Sequence, residues 1–184
     1  PAFIDDMLDT LEHVSQKMQR LVQQLKEPVI QPESSNFALL DVLNDIIAEY
    51  RHSPVKPELV NTPLINPQIK ANKSELQSAI KHIVQNATES INRQGFVKIE
   101  LTSTPADDIL IKIIDNGKGM STDFIANRLF RPFDSTKGVS GMGIGVYQSR
   151  DYIRSLGGEI QVSSKLDSGT TFTITLPKNI TSYE

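Results

Sequence analysis

Two alternating runs constrain this fold more than anything else in the chain: "FVKIELTST" at 96–104 and "DILIKIIDN" at 108–116. The turn residues Pro105-Ala106-Asp107 separate them, so they read as a β-hairpin. Period two places Ile109, Ile111, Ile113 and Asp115 on one face and Lys112 on the other, wetter face. A dry sheet face needs a covering layer. Asp115 points inward at the end of the apolar row, and a buried carboxylate is costly unless something donates to it. Two donors are open: an adenine amino group, or its own turn through Asn116-Gly117.

Helical and strand patterns surround the hairpin. Ile4, Met7, Leu11, Val14, Met18, Leu21 and Leu25 alternate spacings of three and four, a heptad seam on a helix over 3–26. The seam suits a bundle partner; an amphipathic helix on its own domain is the other reading. "KEPVIQPESS" then marks a boundary. A helix is expected from Asn36 to about Tyr50, a short edge strand within the Pro-punctuated "SPVKPELVNTPLINP", and a long helix from Asn72 to about Asn92. A loop rich in Gly, Ser and Thr covers 116–143, followed by a helix to about Leu156 and strands "EIQVSS" and "TTFTITLP" around Asp167-Ser168-Gly169. The expected fold is an α/β two-layer sandwich, a mixed and mostly antiparallel sheet with helices on one face.

Composition removes several chemistries. The chain has no Cys, which excludes disulfides, thiolate zinc sites and a cysteine nucleophile. His13, His52 and His82 lie far apart and show no metal-ligand spacing. A net charge of −3 without bunched basic residues argues against nucleic acid as a partner. No run of about 18 apolar residues suggests a membrane span. The opening Pro1-Ala2, without Met, suggests a piece of a longer protein.

On the helix from Asn72, that residue can cap the start with Glu75 in capping-box register. His82, Asn86 and Glu89 share a stripe beside the apolar face, and the Asn86 amide oxygen suits a hard cation such as Mg²⁺. A solvated helix flank is the alternative. Further on, "GMGIG" at 141–145 opens a helix, where backbone N–H groups and the helix dipole favour anions. It follows no strand, so it is not a Rossmann turn, and it lacks the P-loop pattern.

In order, "HIVQNATES", "DNGKGM", "LFRPFDSTK", "GMGIG" and "GTTF" resemble the ATP-binding domain of sensor histidine kinases, a fold shared with the wider GHKL ATPases and known as the Bergerat fold. The resemblance runs from about Phe37 to Pro177, and its wording is most similar to kinases of the exosortase (PEP-CTERM) system. It implies ATP and Mg²⁺ as cofactors. Asn86 would hold Mg²⁺, Asp115 would accept from the adenine amino group, and Gly117 and Gly119 would make room for the base. Gly141, Gly143 and Gly145, with Met142 and Ile144 between them, would close over the phosphates, and Thr170 would support the adenine end. Met120 to Ser140 would form the ATP lid, anchored by Phe130 and Phe133, with Lys137 offering charge to the terminal phosphate. Phe130 equally suits an ordinary core position, and Lys137 a solvated one.

Two departures from the family pattern stand out. His82 replaces the Asn that many such kinases carry four residues before the Mg²⁺-binding Asn, which makes it a candidate for contact with the γ-phosphate or a water. No His has the setting of a phosphoacceptor: His13 precedes Val14 and lies off the seam, and His52 sits in a Pro-flanked loop. The resemblance therefore implies a bundle helix at 1–27, a linker at 28–35, an ATP-binding catalytic domain at 36–178 and a tail at 179–184, with the acceptor His on a helix outside this chain. The implied partners are that helix, a response-regulator receiver domain and a second copy of the parent through the bundle, on the cytoplasmic side of the membrane.

Overall fold

The computed structural model describes residues 34–61, 64–91, 94–132 and 144–180. The expected helix over 3–26, linker residues 28–33 and His13 lie outside them, as do Phe133, Lys137, Gly141, Met142 and Gly143. Seven strands are described: β1 (Ser35–Ala38), β2 (Glu58–Val60), β3 (Gln68–Ala71), β4 (Val97–Ser103), β5 (Ile109–Asp115), β6 (Glu159–Lys165) and β7 (Gly169–Leu176). The helices are α1 (Leu39–Glu49), α2 (Lys73–Ser90), α3 (Thr122–Asn127) and α4 (Gly145–Ser155).

The main sheet runs β2-β4-β5-β7-β6, and β1 pairs with β3 in a separate antiparallel ribbon. The expected edge strand is β2, which joins β4 in parallel; the other pairs are antiparallel. The expected hairpin forms, and its turn puts Asp107 at φ 65°, a left-handed position that Asp tolerates.

The alternation read from the sequence decides the dry face. Val97, Ile99 and Leu101 of β4, Ile109, Ile111 and Ile113 of β5, and Phe172, Ile174 and Leu176 of β7 are buried. Helix α2 packs on these three strands through Leu76, Ile80, Ile83, Val84 and Ala87. Each fully buried Ile or Leu contributes about 1.5–3 kcal/mol relative to exposure. Helix α2 starts where expected, because Asn72 Oδ1 accepts from the amides of Ser74 at 3.0 Å and Glu75 at 3.2 Å.

Two expectations need correction. The segment from Asn36 does not begin as helix: 35–38 pair with Gln68–Ala71, and the helix starts at Leu39. A distant partner strand supplies backbone bonds that the local helical pattern does not reveal. The stretch 116–143 is not loop throughout. Thr122–Asn127 is helical, with Ser121 Oγ accepting from the Phe124 amide at 3.2 Å.

Candidate functional site

The site assembles at the end of β5. Asp115 sits opposite Thr170 of β7, and both are buried. Burial raises the Asp115 carboxyl above its ordinary range; the Gly117 amide, the Ser90 hydroxyl and the Thr170 backbone amide oppose that shift. Ser90 Oγ and the Gly117 amide each lie 2.8 Å from Asp115 Oδ1. Of the two donors left open by the sequence, the turn is the one the structure shows. Asp115 caps its own turn through Oδ1, and Oδ2 retains acceptor capacity for a further donor.

Two glycines let the chain close around this carboxylate. A Cβ on Gly117 would stand 1.8 Å from Ser90 Oγ. Gly119 has φ 64°, and a Cβ there would stand 2.0 Å from the Lys165 carbonyl oxygen. The room these glycines make is thus filled by Ser90 and by the β6 backbone.

Beside Asp115, Ser164 of β6 ties the loop to the sheet. Its Oγ donates to the Gly169 carbonyl at 2.8 Å, accepts from the Met120 amide at 2.8 Å and lies 2.9 Å from Thr170 Oγ1. Since Ser164 has one hydrogen, Thr170 is the donor between the two hydroxyls, and Thr170 Oγ1 keeps its lone pairs for an outside donor.

A second group lies toward the middle of α2. His82 and Asn86 are half-buried and one turn apart on that helix. His82 Nδ1 is buried without a partner, and burial, then Lys81, lowers the imidazole below its ordinary value. Gly145 at the start of α4 lies against the ring. Helix α4 is held on α2 by Ser149 Oγ, which reaches the Ala79 carbonyl at 2.9 Å, and by Tyr152 Oη, which donates to Asn72 O at 3.0 Å. Ile144, next to Gly145 in the chain, and Met120, tied to Ser164, are both half-buried.

Glu89, placed by periodicity on the stripe of His82 and Asn86, is exposed and accepts from Gln85 Nε2 at 2.7 Å. Phe130 is half-buried with the Arg150 guanidinium 4.4 Å from its ring centroid. His52 is exposed in a turn. Ser90, Ser164 and Arg150 escaped the sequence reading. Only Ser90 left a signal, since it stands four residues after Asn86 in the run 82, 86, 90.

This arrangement joins a buried carboxylate under a glycine turn to a polar row on the central helix. Residues 71–180 match the family described as histidine kinase-, DNA gyrase B-, and HSP90-like ATPase. The chain belongs to that family. Membership makes ATP the ligand class of this domain. The sensor histidine kinase ZraS of Escherichia coli is 32% identical over 115 residues, which cover 62% of this chain and 24% of that protein. Sporulation kinase D of Bacillus subtilis is 28% identical over 177 residues, 89% of this chain and 34% of that protein. The chain therefore spans about a quarter to a third of these curated relatives. Among solved structures, the mycobacterial sensor histidine kinase MprB aligns with a TM-score of 0.69 at 20% identity, covering 78% of this chain and 97% of that one. The full-length ShkA structure aligns with a TM-score of 0.69 at 21% identity, covering 82% and 32%. Both support the Bergerat fold expected for this ATPase family.

The described residues of this ATPase domain fit the nucleotide. Asp115 is a buried acceptor with capacity beyond the donors it already has, and His82 Nδ1 is an orphaned buried atom beside the start of α4. They gather no cluster of three or more His, Asp or Glu able to hold a metal, so an amide such as Asn86 needs oxygens from the ligand and water to complete a Mg²⁺ shell.

Proposed function

We propose that this chain is the ATP-binding catalytic part of a two-component sensor histidine kinase, transferring the γ-phosphate of ATP to a histidine on a helix outside the chain. The observation that supports this best is the buried Asp115 carboxylate, with acceptor capacity to spare, at the strand end of an ATPase-family domain. In this reading Asp115 accepts from the adenine amino group, with Thr170 beside it, and Met120 and Ile144 line the nucleotide. Asn86 would hold Mg²⁺, which when bound neutralises charge on the phosphates.

Phosphate contacts fall to Gly141, Met142, Gly143 and Gly145, with Phe133 anchoring the lid and Lys137 supplying positive charge. His82, one turn before Asn86, would contact the γ-phosphate or a water through its ring. The heptad seam at 4–25 would be the second helix of a dimerisation bundle, with domain limits at 1–27 and 36–178. The phosphate would pass to a response-regulator aspartate. The wording of the boxes favours an exosortase-system kinase, and the domain would work on the cytoplasmic side. No helix of the described residues is long and apolar enough to cross a membrane.

The test uses the 184-residue chain with labelled Mg-ATP. It should bind nucleotide in a calorimetric titration, with Asn86→Asp and Asp115→Ala each weakening binding by about tenfold or more. It should phosphorylate a supplied bundle helix carrying the acceptor histidine but not itself. Acid-labile label on His13 overturns the reading of a missing acceptor, and no transfer to any supplied helix overturns the kinase reading.

A further inference from the structure

Ser90 closes α2 against the glycine turn. Its carbonyl accepts from the Lys118 amide at 3.2 Å, and its hydroxyl reaches Asp115 Oδ1 at 2.8 Å. The turn is held in place from the other side, because Asn116 Oδ1 accepts from the Phe96 amide at 2.7 Å. Gly117 leaves the space that the Ser90 hydroxyl occupies.

We propose that Ser90 is a positioning residue that sets base specificity: its hydroxyl holds Asp115 as a hydrogen-bond acceptor, so the site takes a purine presenting an amino group and turns away one presenting a carbonyl. This rests on the reading of Asp115 as the adenine acceptor.

The argument is one of proton count. The Ser90 hydroxyl has one hydrogen and two acceptors at 2.8 Å, Asp115 Oδ1 and the Ala87 carbonyl. While Asp115 is ionised, the charge-assisted bond is the stronger and takes the hydrogen. Once Asp115 gains a proton it becomes a donor, and the Ser90 hydrogen returns to Ala87. A protonated Asp115 would suit a purine carbonyl instead of an amino group.

Glu89 on α2, Lys98 and Glu100 on β4, Lys112 on β5, Lys118 in the turn and Lys165 on β6 are the charged groups on the described elements around the site. Burial pushes the carboxyl up, and the Gly117 amide, the Ser90 hydroxyl and the Thr170 amide hold it down. Ser90 is the one side chain among these donors.

The experiment compares wild type, Ser90→Ala and Ser90→Cys in the full chain. Carboxyl carbon NMR without nucleotide should show Asp115 titrating about one pH unit or more higher in Ser90→Ala. Ser90→Cys keeps the volume with a weak donor and should shift the same way. Calorimetry with Mg-ATP and Mg-GTP across pH should show Ser90→Ala losing about tenfold in ATP affinity at the acid end, recovering as pH rises, with a narrower ATP-over-GTP preference where it is weakest. Identical Asp115 titration in wild type and both variants overturns the proposal, as does an ATP loss equal at every pH. Wild-type protein that binds no Mg-ATP sinks the underlying reading of Asp115, whereas the nucleotide-free titration still decides whether Ser90 sets its ionisation.

Discussion

Gly145, the first residue of α4, lies against the imidazole of His82 on α2: a Cβ at position 145 would stand 3.2 Å from His82 Cγ. The start of α4 is thus seated on the residue one turn before Asn86. A methyl at 145 would gain about 1 kcal/mol of helix propensity and spend it on this contact. Gly145→Ala should lower the melting temperature in the wild-type background and leave it unchanged or higher in His82→Ala. Additive changes in a double-mutant cycle would show that the two positions do not touch in solution.

His82 also carries a pH signature. Burial lowers its folded pKa below the unfolded 6.5, so the unfolded chain takes the proton first as pH falls. Its contribution is therefore complete above pH 6.5 and is lost as pH drops toward the folded value. Denaturant midpoints for His82→Asn should fall less steeply than wild type on that acid side; parallel curves would remove the effect from His82.

Asp115 titrates in the opposite sense. Its folded pKa is raised above the unfolded 3.8, so its favourable contribution is present below 3.8 and lost as pH rises through the folded value. At neutral pH the carboxylate burdens the fold. Asp115→Asn keeps an acceptor for Ser90 and Gly117 and drops the charge, so it should melt higher than wild type at neutral pH, with the gain shrinking toward pH 3.8. The same variant should bind Mg-ATP about tenfold or more weakly. Calorimetric scans across pH, with titrations alongside, check both halves; a lower neutral melting point contradicts the first.

Arg150 and Phe130 make a joint that lysine cannot copy. The guanidinium lies 4.4 Å from the ring centroid while Nη2 donates to the Phe130 carbonyl at 3.3 Å. A flat, forked cation serves both contacts, whereas an ammonium serves one. Arg150→Lys should cost about 1 kcal/mol in urea unfolding, and most of that cost should vanish in a Phe130→Leu background. An undiminished cost in that background would place the role of Arg150 elsewhere.

Much of this protein was legible because its signals are local. Period two along 109–115 announced a strand with one dry face and an inward Asp115, and both appear as read. Asn72 announced the start of α2, since a cap and its amides lie within three residues. The order of boxes carried the family. What stayed hidden depends on partners distant in sequence. Phe37 reads as helix until Ile69 pairs with it, and Ser164 reads as an ordinary strand residue until Thr170 and Met120 meet it. Ser90 reached Asp115 across 25 positions, a contact made only when α2 crosses the sheet. Which faces are apolar follows from single segments, because burial tracks a period that each segment displays. Which donors meet the buried carboxylate follows from packing, because a hydrogen bond needs two groups whose approach no local pattern encodes.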